Sequence, residues 1–497
     1  MAVKAARRSP VRRPKTAKET IIPAPTQGMD GRVNLAEMPP ANCLYAYNLM
    51  PSEYGTRTRL GSKNHQLAIT GTTIRTIIPF KGADASNDKI FVATTTGIYD
   101  VTTSGGSETV KFTWPSSSGD AGYGVYTHFT NAAGAQFILF ADGENGLHVY
   151  TESTGNWTLS GAVTSVTVAD VRFVAQHQNR IWVVEKNSTD ARYLAIGAIN
   201  GSTSLFVFGQ KFQHGGHIAG MWSWSVDGGD GVDDLLVTAS LAGDLVVYGG
   251  TDPSAAATWA SKGLYYIGEL PAGRRMACEV DGNLYILSAF GLTSMGDLLS
   301  GADLEQSSVA YRVSRFIRDY YELNPNELGW ELSYLPDEGV LAINMPLVAT
   351  NYSSDQFVLS ITTGGWGIWR DINYYTAVDW EGTTYFALDN DIWTMEGSLD
   401  GVANNGTGGV SIDFSIMSAY TDLGEPARHK IVDFIRPQWI SNSGPDFGVL
   451  ARYDFDTEEV NVISIVSANV DHVWDTGIWD TATWDGGEEG HATVRGA

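Results

Sequence analysis

Short apolar runs broken by polar turns dominate the chain between residues 70 and 400, and one unit recurs there in loose form. It is an apolar strand, a polar turn rich in Gly or Asp, and a second strand that closes on or near an aromatic residue. Copies are IFVATTTGIYDV from Ile90, FILFADGENGLHVY from Phe137, LLVTASLAGDLVVY from Leu235, LYILSAFGLTS from Leu284 and YFALDNDIWTM from Tyr385. In each, apolar residues and turn formers alternate as a hairpin requires. Tyr99, Tyr150 and Tyr248 close the clearest copies at a spacing of about fifty residues or a multiple of it, the period of a four-stranded propeller blade. One blade leaves both faces of its sheet exposed, so several must stack around an axis before a core exists. The pattern predicts an all-β chain whose residues 70–400 form a β-propeller of about six blades. A β-sandwich array is the other arrangement that fits the same strands.

Departures from the pattern mark the remaining segments. LEQSSVAYRVSRFIRDYYELN, from Leu304, carries apolar and aromatic residues at helical spacing, which predicts an inserted amphipathic helix near 304–323. The Gly- and Asn-rich stretch from Gly401 reads as a linker, and strand-like alternation returns after it, predicting a small β-domain over 401–468. Residues 469–497 form a tail in which Trp474, Trp479 and Trp484 each precede Asp at a five-residue step that suits neither strand nor helix. At the other end, residues 1–19 are basic and cannot bury a core, so a disordered or partner-ordered arm is expected. Residues 20–69, extended and punctuated by proline, are expected to pack on the propeller.

Charge and composition narrow the function classes. With 56 acidic and 32 basic residues the formal net charge is -24, and the acidic body argues against a protein that grips nucleic acid over its whole surface. It is compatible with a channel wall that must not hold phosphates, and equally with simple solubility. Cys43 and Cys278 lie outside any CxxC pattern, so neither a disulfide framework nor a thiolate metal site is indicated. The N-terminus lacks the apolar stretch of a secretion signal and no later segment has the length of a membrane span, so a protein made and kept in a cytoplasm, without membrane insertion, is expected.

No hydrolase elbow, zinc-protease motif, P-loop or dinucleotide fingerprint occurs, and no catalytic residue or cofactor is assigned. His214 and His217 flank two glycines in a loop too loose to hold both rings on a metal. Asp227, Asp230, Asp233 and Asp234 crowd a Gly-rich loop whose oxygens suit a calcium ion, although a solvated turn explains them as well. Ser225, Asp227 and Gly229 partly match the Asp box of sialidase-type propellers, with Val232 where an aromatic belongs. Asp142, Asp281, Asp389 and Asp391 sit in expected turns, where Asp accepts hydrogen bonds from its own backbone. Trp222, Trp224, Trp366 and Trp369 look exposed enough to stack sugars, or else fill the space between blades.

The segment NLMPSEYGTRTRLG, from Asn48 to Gly61, resembles the opening signature of tail hub or nozzle proteins of short-tailed bacteriophages, through Asn48, Pro51, Gly55, Arg57, Arg59 and Gly61. AQHQNRIWVV from Ala175, VVYGGTDPSAAATW from Val246 and GELPAGRRMACEVDGNLYILSAFGLTSMG from Gly268 are similar to blades of the packaged-DNA stabilisation proteins of those phages. The resemblance covers most of residues 40–400. It implies a non-enzymatic subunit of a ring, usually a hexamer of identical chains, below portal and adaptor proteins and beside other tail proteins. Double-stranded DNA would pass through such a ring without sequence-specific binding, and the chain would reside in the virion tail after assembly in the host cytoplasm. A tail-tip propeller that binds a receptor or glycan is the alternative. Arg57 and Arg59 are expected to anchor the N-terminal segment, either within the chain or to a neighbouring subunit.

Overall fold

Alternating strands around an axis account for most of the described residues of the larger unit. The structure, a computed structural model, describes residues 19–70, 73–227, 232–300, 308–346, 355–372 and 374–424, with a few short pieces between 434 and 495. Two compact units are present. The larger comprises Pro23–Val33 and Met38–Ala419. In the smaller, Phe434–Ile435 pairs antiparallel with Val494–Arg495, and Gln438–Ile440 with Glu489–His491.

The larger unit is the propeller expected from the sequence. Six four-stranded blades follow one another: 74–113, 125–159, 171–207, 218–266, 331–369, and a last blade of 377–395 completed by Ser62–Gln66. A three-stranded sheet, 277–294, stands in the ring between the fourth blade and the fifth. Where its fourth strand would run, the chain turns instead into helix α1, Met295–Leu299, capped by the Ser294 side chain. Second and third strands are apolar on both faces, as in Lys89–Thr94 and Leu147–Thr151, because each blade is sandwiched between two others. Fourth strands such as Trp259–Tyr266 face water along most of their length.

Aromatics seal the gaps between blades. Phe91 of the first blade lies 4.8 Å from Tyr150 and 5.4 Å from Trp157 of the second. Trp182 of the third stacks at 6.1 Å on Trp259 of the fourth, which stacks at 5.8 Å on Tyr248. Two of the periodic tyrosines therefore sit where blade meets blade, each ring burying apolar area worth about 1.5–3 kcal/mol.

The ring is closed by early sequence. Ser62–Gln66 pairs antiparallel with Asp391–Met395, so the sixth blade takes its outer strand from residues ahead of the first blade. Gly28–Met29 and Asn42–Tyr47 extend the fifth blade beyond Trp366–Trp369, in parallel. Three strands of the 20–69 segment are thus woven into two blades.

Two expected boundaries move. Helix α2 spans Ser314–Leu323 and does not reach back to Leu304. Residues 308–313 form consecutive turns, with Ser308 Oγ donating to the Leu292 carbonyl and the Arg312 carbonyl accepting from Gly31 N; these ties hold the chain away from helical geometry. Residues 301–307 lie outside the described part. The propeller also runs on to Ala419, past the expected boundary at 400. Gly406, Gly408 and Gly409, all at positive φ, turn the hairpin that pairs Leu399–Asp400 with Val410–Ser411. Ser415–Ser418 then pairs antiparallel with Asn42–Tyr47 as an edge strand. The basic arm before residue 19 and the tail's Trp474, Trp479 and Trp484 lie outside the described residues, whereas Glu489–His491 and Val494–Arg495 at the end of that tail pair as strands. Among the described residues, no helix is long and apolar enough to cross a membrane.

Candidate functional site

The signature residues assemble into a latch at the fifth and sixth blades. Asn48 stands at the left-handed φ of 54°, which Asn tolerates, between the strands Asn42–Tyr47 and Leu49–Ser52. Its Oδ1 accepts from Arg59 Nε at 3.0 Å and from Arg370 N at 2.8 Å, while its Nδ2 donates to the Asp413 carbonyl at 2.8 Å. Arg59, only 2% exposed, has a partner for every nitrogen: Nη1 donates to Asp400 Oδ1 and the Leu60 carbonyl, and Nη2 to Asp400 Oδ2 and the Arg370 carbonyl. A two-pronged guanidinium–carboxylate pair of this kind is both strong and directional.

The neighbouring side chains complete it. Arg57 Nη1 donates to Glu338 Oε2 and Nη2 to the Glu338 carbonyl, each at 2.6 Å, and the second carboxylate oxygen accepts from Leu60 N at 2.8 Å. Pro51 fills the space left by two glycines: a Cβ on either Gly28 or Gly365 would stand 2.9 Å from its ring. Gly55 closes the hairpin opposite Ser52. A Cβ on Gly61 would lie 2.1 Å from the Leu399 carbonyl oxygen, so only glycine passes there. All six signature residues take part in intrachain packing or bonding.

A second cluster, which the sequence reading missed, sits where the first strands of the blades begin around the axis. Arg275 of the three-stranded sheet donates to Thr76 Oγ1 at 2.8 Å and the Arg75 carbonyl at 3.2 Å in the first blade, and to the Gly124 carbonyl at 2.6 Å at the start of the second. It also meets the Glu331 carboxylate of the fifth blade and donates to Thr376 Oγ1 at 3.2 Å, next to the sixth. One side chain therefore bridges the axis at this end. Arg75 stacks over the Tyr123 ring at 4.6 Å and bonds its hydroxyl. The available signal was the Arg274–Arg275 pair beside a predicted strand.

The other sequence candidates resolve differently. Asp227 and Asp233 lie in the paired strands Ile218–Asp227 and Val232–Ser240; Asp230 falls outside the described residues. Asp234 is occupied by Ser225 Oγ at 2.7 Å and Gln178 Nε2 at 3.4 Å. Among the described residues, no group of three His, Cys, Asp or Glu side chains is placed to hold a metal. His214 and His217 part company: His214 Nδ1 pairs with Asp244 at 2.7 Å, whereas His217 has Arg172 and Arg274 as neighbours, and burial with those two cations pushes its imidazole down to about 4. Cations there oppose a metal ion. Asp142 caps its turn, accepting from the backbone of Gly122, Glu144, Asn145 and Gly146. Burial pushes the thiol of Cys43 up to about 12 and that of Cys278 to about 11, so both are protonated at neutral pH.

Of the four tryptophans that could stack sugars or fill the space between blades, three are buried. Trp366 and Trp369 are sealed in the fifth blade, and Trp224 donates to the Gly282 carbonyl at 2.9 Å. Trp222 is half-buried against Phe173. They pack between sheets because a large ring gains most where both faces find partners.

No protein-family description matches the chain, and no curated protein does either. Among solved structures it is similar to the extracellular domain of the hybrid two-component system BT3049 of B. thetaiotaomicron, at 9% identity and a TM-score of 0.42, covering 86% of this chain and 50% of that one. PorZ, a surface component of the type-IX secretion system of Porphyromonas gingivalis, matches at 12% identity and a TM-score of 0.38, over 72% and 39%. Chaetomium thermophilum Raptor matches at 12% and 0.41, over 68% and 29%. The chain spans half or less of the length of these three proteins.

Proposed function

We propose that this chain is a non-enzymatic structural subunit of a short-tailed phage tail, a hub or nozzle that forms a conduit for packaged genomic DNA and helps retain it. The observation that carries the reading is the latch. The residues that resemble the phage signature form one connected unit with Glu338 and Asp400, and that unit ties the N-terminal segment to the last two blades. A segment repeated among such proteins for architecture is expected to look like this.

The contacts of Arg275 to four other sheets cross the propeller's own axis and favour a conduit outside it. The bore would therefore be enclosed by several copies standing side by side, a hexamer in this reading, beneath portal and adaptor proteins and next to other tail proteins. The acidic surface would let DNA slide without being gripped. Assembly would take place in the host cytoplasm and the finished protein would reside in the virion tail. The alternative of a glycan-binding tip loses the aromatic platform that suggested it, since Trp224, Trp366 and Trp369 are buried.

Gold-labelled antibody against the chain, imaged on intact particles, tests the proposal. Label on a short stalk below the capsid is the expected result. Particles that stay unlabelled, with the chain recovered only from soluble host extract, would overturn it.

A further inference from the structure

Arg172 and Arg274 are 6% and 7% exposed, as hidden as any core residue. Arg172 lies at the bulge that opens the first strand of the third blade, and Arg274 just ahead of the three-stranded sheet. The two share one spot: a Cβ on Gly143, in a turn of the second blade, would meet the Arg172 Cβ at 2.8 Å and Arg274 Nη2 at 3.4 Å. His217, at the head of the fourth blade, faces the same two cations.

Among the described residues neither guanidinium finds a hydrogen-bond or ion-pair partner. Among the described residues no carboxylate stands within ion-pair distance of Arg172 or Arg274, and the Nε of each is sealed without a hydrogen bond. Two of the three acids nearby are engaged elsewhere: Asp142 by four backbone amides, Glu144 by Lys186 at 2.6 Å and by Ser118 Oγ at 3.2 Å. Burial and then Arg274 push Arg172 down to about 9, and burial pushes Arg274 in the same direction against the opposing pull of Asp142, Glu144 and Asp120. An unpaired buried charge is expensive, and two side by side more so. The chain keeps both, while the adjacent Arg275 has partners for both of its Nη atoms.

We infer that Arg172, Arg274 and His217 form a binding site for a small tetrahedral oxyanion of the phosphate type, seated at the end of the propeller axis among the second, third and fourth blades and the three-stranded sheet. Two forked guanidiniums and an imidazole supply donors on several sides, as a phosphate dianion requires. Guanidiniums this little exposed favour a free anion or a small phosphate monoester over a polymer backbone. Bound there, the anion would neutralise the paired cations and join the sheets that carry them.

The experiment uses the full chain in a chloride buffer near neutral pH, titrated calorimetrically with inorganic phosphate while thermal unfolding is followed. Saturable one-to-one binding is expected, with a rise in Tm that tracks phosphate concentration. Arg172→Met and Arg274→Met should each weaken it at least about tenfold, whereas Arg315→Met, on the exposed face of α2, should leave it intact. Glycerol phosphate titrated in parallel separates the sources: equal affinity points to a monoester, clear preference for the inorganic ion to free phosphate. Absence of saturable binding to the wild type, or binding unchanged in both methionine variants, overturns the inference. Failure of Arg172→Met to fold without phosphate also overturns it, because the guanidinium would then be structural.

Discussion

Arg59 in the latch and Arg172 at the axis are both hidden from water, yet one has a partner for every nitrogen and the other, among the described residues, has none. The contrast separates two uses of a buried cation. In the latch the carboxylate of Asp400 and the amide of Asn48 come from the same chain, so the charge is neutralised when the propeller closes and serves architecture. At the axis neutralisation is left undone, which is tolerable only where something else supplies it. Arg274 and Arg275 repeat the lesson between neighbours in sequence: Arg275 braces four sheets through its Nη atoms and the Glu331 carboxylate, whereas among the described residues Arg274 has no ion-pair partner.

The contrast can be attacked from its largest expected effect downward. Arg59→Met strands the Asp400 carboxylate and the Asn48 amide, so chemical denaturation should show a loss of about 3–5 kcal/mol. Arg275→Met leaves Glu331 without its cation, and with Arg275 itself partly reachable by water the loss should fall near the lower end, about 3 kcal/mol. Gly61→Ala forces the Leu399 backbone away and should cost about 1–3 kcal/mol in the same assay. Arg172→Met should change stability in phosphate-free buffer by no more than about 1 kcal/mol, in either direction, because it removes a charge with nothing to lose. A loss as large as that of Arg59→Met would erase the distinction.

The blades were legible because strand alternation is local: Ile90, Phe137 and Leu235 each open a run whose neighbours in sequence are also its neighbours in space. The onset of α2 was not, since bonds from Ser308 to Leu292 and from Gly31 to Arg312 decide it, and these join residues far apart or in different elements. The glycines after Gly401 carry the same signal in a linker and in a hairpin turn; only the strand they deliver to Asn42–Tyr47 tells the two apart. Resemblance could single out Arg57 and Arg59, but their acids stand 281 and 341 residues away. The axial arginines had no periodic signal at all, because seven strand starts meet there only after the ring has closed.

That closure carries a consequence for how the molecule comes into being. Lys63 and Thr394 touch across 331 residues, so the strand that finishes the last blade leaves the ribosome long before its partner exists. Until then Ser62–Gln66 is an unpaired β-edge waiting through the synthesis of every other blade, with the late, non-local pairing that makes folding slow and aggregation-prone. Premature termination anywhere before residue 391 therefore yields an open arc with two sticky ends, whereas a cut made after closure leaves the two halves holding each other.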